Sequence, residues 1–396
     1  MSLNSKSFIP FAKPSLGEQE EDAVLRVMRS GWLTTGKEAS CFEKEFAEYV
    51  QTKHALAVNS GTAGLHLALE SLGIGPGDKV LTTPFTFTAT AEIIRYLGAH
   101  VVFADIDPET LNISPKHVEN TLKKDKQIQA CIPVHIAGLP CNMKELVDIC
   151  KKYDVKIIED AAHAFPSHNA AGITGTSGTI GIYSFYATKC LTTGEGGMIV
   201  TDDDSLAKRM SVMRLHGIDR PAWDRYTAKH AKWKYEIVAP GYKYNMPDLA
   251  ASIGRVQLSR AMEMLDARQS IAQKYLRDLG DCNFVELPIS HDGHAWHLFI
   301  IKLNLEKLTI NRDQFIDELF SRGIGSSVHF IPLHLMPYYQ EEYHFKPDDF
   351  PNSLNSYLRC ISLPIYPSLG DEEVRQVIDA IFDIGNRYSI ESKSEF

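Results

Sequence analysis

Short runs of apolar and β-branched residues alternate with stretches of helical periodicity over the first two thirds of the chain. The runs predict strands at Ala55–Val58, Lys79–Leu81, His100–Ala104, Ala130–Val134, Val155–Glu159, Ile180–Phe185 and Met198–Thr201. The stretches between them predict helices such as Thr62–Leu72, Thr88–Leu97, Pro115–Leu122 and Met143–Tyr153. Strands joined by helix-length connections form parallel sheets that are covered on both faces. We therefore expect an α/β fold with a mostly parallel, seven-stranded sheet between helices.

The pattern changes near residue 250. A long helical stretch, Pro247–Leu279, is expected to connect a large domain, 1–255, to a small C-terminal domain, 256–396. The later elements are a strand at His297–Leu303, a helix at Asn311–Arg322, a strand at Ser326–Phe330 and an amphipathic helix at Asp371–Ile384. These elements predict that the second domain is also α/β.

Composition excludes several classes of function. The 396 residues are 44% hydrophobic, and no apolar run approaches the length of a membrane span. The first residues lack a secretory pattern, so we expect a cytoplasmic protein without a membrane partner. The net charge of −9 disfavours nucleic-acid binding. The 7 cysteines form no C-x-x-C pair, so neither a disulfide framework nor a metal site is predicted.

Two motifs lie where the carboxyl ends of the predicted strands would collect a ligand. The turn Asn59–Gly64 opens a helix, whose free N–H groups attract phosphate, although such a turn is often only a turn. The stretch Ile157–Ala164 ends a strand with two acids. Asp160 either caps the next helix or holds a proton on a heteroaromatic nitrogen.

Two further motifs carry a lysine and an aromatic turn. Lys189 follows the predicted strand Ile180–Phe185 and precedes a glycine-rich turn. Most lysines are solvated, but one between buried segments has a lowered pKa and a nucleophilic amine. The turn Pro84–Thr88 contains Phe87, which either packs in the core or stacks on a planar cofactor.

These motifs resemble, in the same order, those of the DegT/DnrJ/StrS family of fold type I sugar aminotransferases. The resemblance covers nearly the whole chain. The matching stretches are Ile9–Phe11, Gly31–Gly36, Ser60–Ala63, Glu159–Ala164, Ser184–Phe185 with Lys189, Thr193–Gly197, Pro240–Met246, Gln257–Leu258 and Ser362–Pro364.

The resemblance implies pyridoxal 5′-phosphate (PLP) as the cofactor. Lys189 is expected to carry PLP and to shuttle a proton, and Asp160 is expected to face the pyridine nitrogen. Phe87 would stack on the ring, and His163 would contact the 3′-oxygen. The phosphate is expected at Thr62, Ala63 and Ser184.

The resemblance also implies a homodimer with a shared active site. The segment Lys243–Asn245 of the neighbouring subunit would reach the phosphate region. Many relatives read Gly-Tyr-Asn-Tyr-Arg where this chain reads Gly-Tyr-Lys-Tyr-Asn, so the contacting residue is either Lys243 or, by our preference, Asn245. Thr34 and His329 are expected at the substrate, although a histidine such as His329 is equally consistent with core packing.

The implied reaction moves the amino group of L-glutamate to a nucleotide-linked keto sugar, for surface polysaccharide or lipopolysaccharide synthesis. The stretches His216–Arg220, Ala222–Arg225 and Pro240–Asn245 are most similar to the branch that forms UDP-4-amino-4-deoxy-L-arabinose. Two alternatives stay open. A PLP-dependent sugar dehydratase of this family would carry histidine in place of Lys189, and an inactive regulatory homologue would share the fold alone.

Overall fold

The structure, a computed structural model, describes residues 8–170, 172–219 and 234–390. The helices are α1 Glu18–Ser30, α2 Lys37–Val50, α3 Gly61–Ser71, α4 Ala89–Tyr96, α5 Pro115–Lys124, α6 Met143–Lys152, α7 Asp204–Met213, α8 Asp248–Ser259, α9 Ala261–Asp278, α10 Arg312–Ser321, α11 Pro337–Tyr343, α12 Pro351–Arg359 and α13 Asp371–Arg387. The strands are β1 His54–Val58, β2 Lys79–Thr82, β3 His100–Phe103, β4 Ile128–Ile132, β5 Lys156–Asp160, β6 His168–Asn169, β7 Gly172–Ile173, β8 Ile180–Ser184, β9 Gly197–Thr201, β10 Val285–Glu286, β11 Phe299–Leu303 and β12 Cys360–Leu363.

The large sheet has seven strands in the order β1-β9-β8-β5-β4-β2-β3. The neighbouring strands in the part of this order that reads β8-β5-β4-β2-β3 are parallel to one another. Strand β9 runs antiparallel to both β8 and β1. The expected mostly parallel sheet is therefore confirmed, and each of the seven predicted strands is present with ends displaced by a residue or two.

Successive side chains along β2 show how both faces of the sheet are covered. Val80 lies in one hydrophobic cluster with Leu65 of α3 and Ile93 of α4. Leu81 lies in another cluster with Val118 of α5 and Leu146 of α6. Because side chains alternate between the faces of a strand, these helices lie on opposite sides of the sheet.

Strand β5 lies in the middle of the sheet and ends at Asp160. The N–H of Asp160 donates to Pro133 O at 2.9 Å, and the N–H of Ala161 donates to Ile182 O at 2.8 Å. These hydrogen bonds connect the end of β5 to the segment after β4 on one side and to β8 on the other. The next residues leave the sheet at its carboxyl edge, which is where open α/β sheets bind ligands.

The C-terminal part contains a three-stranded antiparallel sheet, β10-β11-β12. The predicted strand at Ser326–Phe330 is wrong. Ser327 forms only a single bridge to Ser362 of β12, after which the chain turns so that His329 and Phe330 line a cavity. Strand β12, which was not predicted, takes the third place in the sheet.

The predicted continuous helix Pro247–Leu279 is divided into α8 and α9. The break is at Arg260, which adopts φ −101° and ψ 5°. Its guanidinium group pairs with the buried Glu20 of α1 at 2.8 Å. Apolar periodicity continues through the break, so the pattern alone could not reveal it.

A hydrophobic cluster in the C-terminal part joins α9, α10, α13 and β11, with Tyr275, Phe299, Phe315 and Ile381 among its members. Ile9, from the start of the chain, belongs to the same cluster, and its N–H donates to Gly323 O at 2.8 Å. The segment around Ile9 therefore packs with the C-terminal part, although it lies within the range predicted for the large domain. The boundary at residue 255 stays a prediction.

Candidate active site

A cavity of about 460 Å³ lies beyond the carboxyl ends of β5 and β8. Side chains from the large sheet, from α3 and α4, and from the C-terminal part line it together. Seven of the ten predicted site residues are among them: Thr62, Phe87, Asp160, His163, Ser184, Lys189 and His329. The other three, Ala63, Thr34 and Asn245, are not part of its lining.

Lys189 lies in a turn after β8, where its backbone N–H donates to Tyr186 O at 2.9 Å. Burial lowers the pKa of the Lys189 amine to about 8, against the attraction of the Asp160 carboxylate, which raises it. A surface lysine is almost fully protonated at neutral pH. Lys189 therefore has a much larger neutral fraction, as a nucleophile or a proton carrier requires.

Asp160 lies at the end of β5 and is buried. Its Oδ2 accepts a hydrogen bond from the Thr90 hydroxyl at 2.8 Å, and its Oδ1 accepts one from the Ala162 N–H at 3.1 Å. Burial raises the pKa of Asp160, while these two donors and the charge of Lys189 oppose the rise. Thr90 was not among the predicted site residues, because nothing in the local sequence relates it to Asp160.

Two histidine rings form one wall of the cavity. His163 and His297 are buried, and their ring centroids are 4.5 Å apart. Burial and the nearby Lys189 charge lower the pKa of both imidazoles well below the ordinary value, so both are neutral. Their Nδ1 atoms have no hydrogen-bond partner among the described residues. Buried polar atoms without a partner are rare, and here they mark a surface that can bind a polar ligand.

His297 was missed from the sequence, where it was seen only as the first residue of a predicted strand. Trp296 beside it has a positive φ of 48°, and the buried guanidinium of Arg268 donates to the carbonyls of Trp296 and His297. A histidine at the start of an apolar strand is a weak signal, and only the fold brings it to the cavity.

The start of α3 also lines the cavity. Ser60 is the N-cap, and its hydroxyl accepts from the Ala63 N–H at 3.1 Å. Gly61 packs so closely on β8 that an added Cβ would lie 3.1 Å from the Cβ of Ser184. Thr62 and Ser184 line the cavity beside this helix start, which favours anions.

His329 and Phe87 border the cavity from the C-terminal part and from the segment before α4. The Nδ1 of His329 lies 2.8 Å from the Ser362 hydroxyl, and its ring stacks on Phe11 with centroids 5.3 Å apart. Burial lowers the pKa of His329 to about 4. Phe87 is 59% exposed, so its ring is available for stacking.

Asn245 lies outside the cavity and is hydrogen-bonded to Thr35, the residue after Thr34. The side-chain amide of Asn245 donates to the Thr35 hydroxyl at 2.6 Å, and that hydroxyl donates to Met246 O at 2.5 Å. Lys243 donates to the Asn245 carbonyl oxygen. Residues 34–35 and 243–246 thus form one unit, which we call the 34/245 unit.

The described part of the chain, residues 8–170, 172–219 and 234–390, also bears on metal binding and membrane insertion. Those residues contain no cluster of histidine, cysteine, aspartate or glutamate that could hold a metal ion. None of their helices is both long and apolar enough to cross a bilayer. The stretch Ala222–Arg225 and Arg220, on which the predicted branch partly depends, lie outside the described residues.

A comparison with known protein families identifies the family of this chain. The profile of the DegT/DnrJ/EryC1/StrS aminotransferase family matches residues 14–382. The chain belongs to this family. PLP is the cofactor of these aminotransferases, so the predicted cofactor is confirmed.

Related proteins align with almost the whole chain. The spore coat polysaccharide biosynthesis protein SpsC of Bacillus subtilis is 44% identical over 380 residues, 95% of this chain and 97% of SpsC. The putative sugar aminotransferase Spr1654 of Streptococcus pneumoniae, in its PMP form, has a TM-score of 0.89 and 30% identity, covering 96% and 99% of the two chains. PseC of Helicobacter pylori, an aminotransferase involved in the biosynthesis of pseudoaminic acid, has a TM-score of 0.89 and 27% identity, covering 96% and 100%.

The residues of this family member fit PLP. A phosphate suits the start of α3, where Gly61 lets the helix approach Ser184 closely. An amine of lowered pKa, Lys189, and a buried carboxylate, Asp160, line the same cavity. The partnerless Nδ1 of His163 offers a further contact for a polar ring substituent.

Proposed function

We propose that this aminotransferase transfers the amino group of L-glutamate to a nucleotide-linked keto sugar, with PLP held at Lys189. The observation that carries the proposal is the pair Lys189 and Asp160 in one cavity, with the pKa of the amine lowered to about 8. A dehydratase of the family would need histidine at position 189. The lysine therefore favours amination.

Five residues that line the cavity have a role in this proposal. Bound PLP supplies an aldehyde that condenses with amines and a ring that withdraws electrons from the reacting carbon. Lys189 Nζ holds the cofactor and later carries a proton to and from the substrate carbon. Asp160 holds a proton on the ring nitrogen, and His163 donates or accepts at the 3′-oxygen. Thr62 and Ser184 bind the phosphate.

The substrate class is supported by the relatives and by the entrance to the cavity. SpsC is named for polysaccharide biosynthesis, and PseC for an aminotransferase step toward pseudoaminic acid. His329 and Phe11 line the side of the cavity formed with the C-terminal part, where a sugar can meet an imidazole and an aromatic face. We propose a UDP-linked 4-keto sugar, as in the branch that forms UDP-4-amino-4-deoxy-L-arabinose, and a product used in surface polysaccharide or lipopolysaccharide.

We further propose that the active enzyme is a homodimer with shared active sites. The 34/245 unit lies outside the cavity of its own chain, although Thr34 and Asn245 are expected at the substrate and cofactor. A second copy would bring both residues to the cavity at once, because Thr34 adjoins Thr35, which is hydrogen-bonded to Asn245. The proposal therefore assigns Thr34 and Asn245 to the partner's cavity.

The reaction can be tested by incubating the protein with PLP, L-glutamate and a panel of UDP-, dTDP- and GDP-linked 4-keto and 3-keto sugars. We expect 2-oxoglutarate to form in a one-to-one ratio with the amino sugar, and fastest with a UDP-linked 4-keto sugar. Lys189→Ala is the matched control and should lose the reaction. Glutamate should change the absorption of the bound cofactor even without sugar.

The outcomes separate the parts of the proposal. If glutamate changes the absorption but no sugar accepts the amino group, the substrate class is wrong. If PLP does not bind, or binds without any response to glutamate, the chain is not an aminotransferase and the inactive homologue is the better reading.

Mixing two inactive variants tests the shared site. Lys189→Ala and Asn245→Ala should each be inactive alone, whereas refolded or co-expressed mixtures should regain activity, since a mixed dimer contains one site with both native residues. Mixtures that stay inactive while forming mixed dimers would place Asn245 outside the partner's site.

A further inference from the structure

Two threonines connect the carboxylate of Asp160 to the start of α4. The hydroxyl of Thr90 lies 2.8 Å from Asp160 Oδ2, and the hydroxyl of Thr86 lies 2.9 Å from that of Thr90. All three side chains are buried, with exposures of 2% for Thr86, 1% for Thr90 and 4% for Asp160. All three also line the cavity.

The direction of this chain follows from counting protons. A hydroxyl has one hydrogen to donate and two lone pairs. When Asp160 is ionised, the hydrogen of Thr90 is committed to the carboxylate. The hydrogen bond between the two threonines must then be donated by Thr86. Both hydroxyl dipoles therefore point toward the negative charge and strengthen each other.

The position of Thr90 argues against an ordinary helical role. Threonine within a helix usually returns its hydroxyl to the carbonyl three or four residues earlier. Thr90 is the second residue of α4, and its hydroxyl instead crosses to β5. The neighbouring Thr88 donates to Glu92 Oε1 at 2.7 Å, on its own helix, and does not line the cavity.

The hydroxyls of Thr90 and Thr86 and the charged groups near Asp160 act on its carboxylate in different ways. Lys189 is the cation that shares the cavity with the Asp160 carboxylate. The neutral His163 lines the same cavity. Glu159 precedes Asp160 on β5 and so points to the other face of the strand. The two hydroxyls lie beside Asp160 whatever the protonation state of Lys189.

We infer that Thr90 and Thr86 are positioning residues that hold the Asp160 carboxylate ionised and oriented toward the cofactor. This inference depends on the proposed role of Asp160 at the ring nitrogen. Thr90 acts directly on the carboxylate, and Thr86 acts through Thr90. Neither residue carries out a step of the reaction.

The experiment compares the PLP affinity of the wild-type protein with that of Thr90→Val, Thr90→Ser and Thr86→Val, across a pH series. Thr90→Val should weaken PLP binding at neutral pH about tenfold, because one charge-assisted hydrogen bond is lost. Thr90→Ser should restore the affinity to within about threefold, and Thr86→Val should cost about threefold. Thr88→Val is the matched control and should bind PLP like the wild type.

The pH series provides a readout that a structural role would not affect. PLP affinity should fall at acid pH as Asp160 becomes protonated. The Thr90 hydroxyl lowers the pKa of Asp160, so in Thr90→Val this fall should begin at higher pH, by about one unit for a tenfold loss. Thermal unfolding of each apoprotein shows whether the variant is folded.

Two results would overturn the inference or its basis separately. If Asp160→Asn weakens PLP binding but Thr90→Val has wild-type affinity and an unshifted pH profile, the positioning role is wrong and the proposed function stands. If Asp160→Asn itself binds PLP like the wild type, the proposed role of Asp160 fails first.

Discussion

Strand β5 carries two buried carboxylates in succession, Glu159 and Asp160, and their surroundings differ sharply. Glu159 is surrounded by donors: His135 Nε2 at 3.1 Å and the N–H groups of Gly175, Ser177 and Gly178 at 3.0, 2.6 and 2.5 Å. Nδ1 of His135 accepts the N–H of Cys141 at 3.0 Å, so its Nε2 carries the ring hydrogen and donates it to Glu159.

Asp160 has only the Thr90 hydroxyl and the Ala162 N–H as hydrogen-bond donors among the described residues. It faces a cavity with Lys189 and with partnerless histidine nitrogens. A carboxylate whose acceptor sites are filled contributes to structure, whereas one left partly unfilled beside a cavity is available to a ligand. The comparison therefore assigns Glu159 to the fold and Asp160 to the chemistry.

The largest effect that tests this assignment of Glu159 and Asp160 is expected from Asp160→Asn. The amide cannot hold a proton on the ring nitrogen, so kcat/KM for transamination should fall about 10³-fold. Because burial raises the pKa of Asp160, removing its charge should leave the unfolding free energy of the apoprotein unchanged or higher. Steady-state kinetics and denaturant unfolding measure the two quantities. A variant that is active, or that loses activity only because it unfolds, would contradict the assignment.

The second effect concerns the other face of the strand. Glu159→Gln puts an amide NH₂ where a carboxylate oxygen accepts buried donors, so the unfolding free energy should fall by about 3 kcal/mol. The fraction that stays folded should bind PLP within about threefold of the wild-type affinity, because Glu159 does not line the cavity. Urea unfolding and PLP titration at low temperature are the measurements. Loss of PLP affinity without loss of stability would reverse the roles of the two acids.

Much of the fold is predictable from the sequence because the seven strands of the large sheet are short apolar runs with clear ends. The failures occur where periodicity is uninformative. Ser326–Phe330 has the composition of a strand, but His329 and Phe330 turn into the cavity. Arg260 interrupts a continuous apolar pattern through its backbone conformation and its ion pair with Glu20.

The site is predictable where its residues are close in sequence to a motif. Asp160 and His163 share one stretch, and Ser184 and Lys189 share another. Thr90 and His297 reach the cavity only through tertiary packing, and neither has a local pattern that marks it. Sequence patterns also could not distinguish the saturated Glu159 from the unsaturated Asp160, because the donors to Glu159 are mostly backbone N–H groups of a later loop.

The smallest effect is expected in the pH dependence of PLP association. It gives the most direct comparison of how Asp160 and Glu159 act on Lys189. The neutral amine of Lys189 attacks the aldehyde, so the association rate should rise with pH and reach a plateau at high pH. The midpoint of the rise should lie near pH 8, the lowered pKa of Lys189. A surface lysine would give a midpoint above 10. Stopped-flow absorbance measures the rate, and Lys189→Ala should show no such phase.

The two acids should affect this midpoint differently. Attraction to the Asp160 carboxylate raises the pKa of Lys189 against the effect of burial, whereas Glu159 is not among the main causes of its shift. Asp160→Asn should therefore move the midpoint below 8, and Glu159→Gln should leave it in place. The ionisation of free PLP is the same in every arm, so it cancels in the comparison between variants. Equal midpoints in the two variants would mean that the carboxylates act on the amine alike, and the division of β5 into a structural and a chemical face would be wrong.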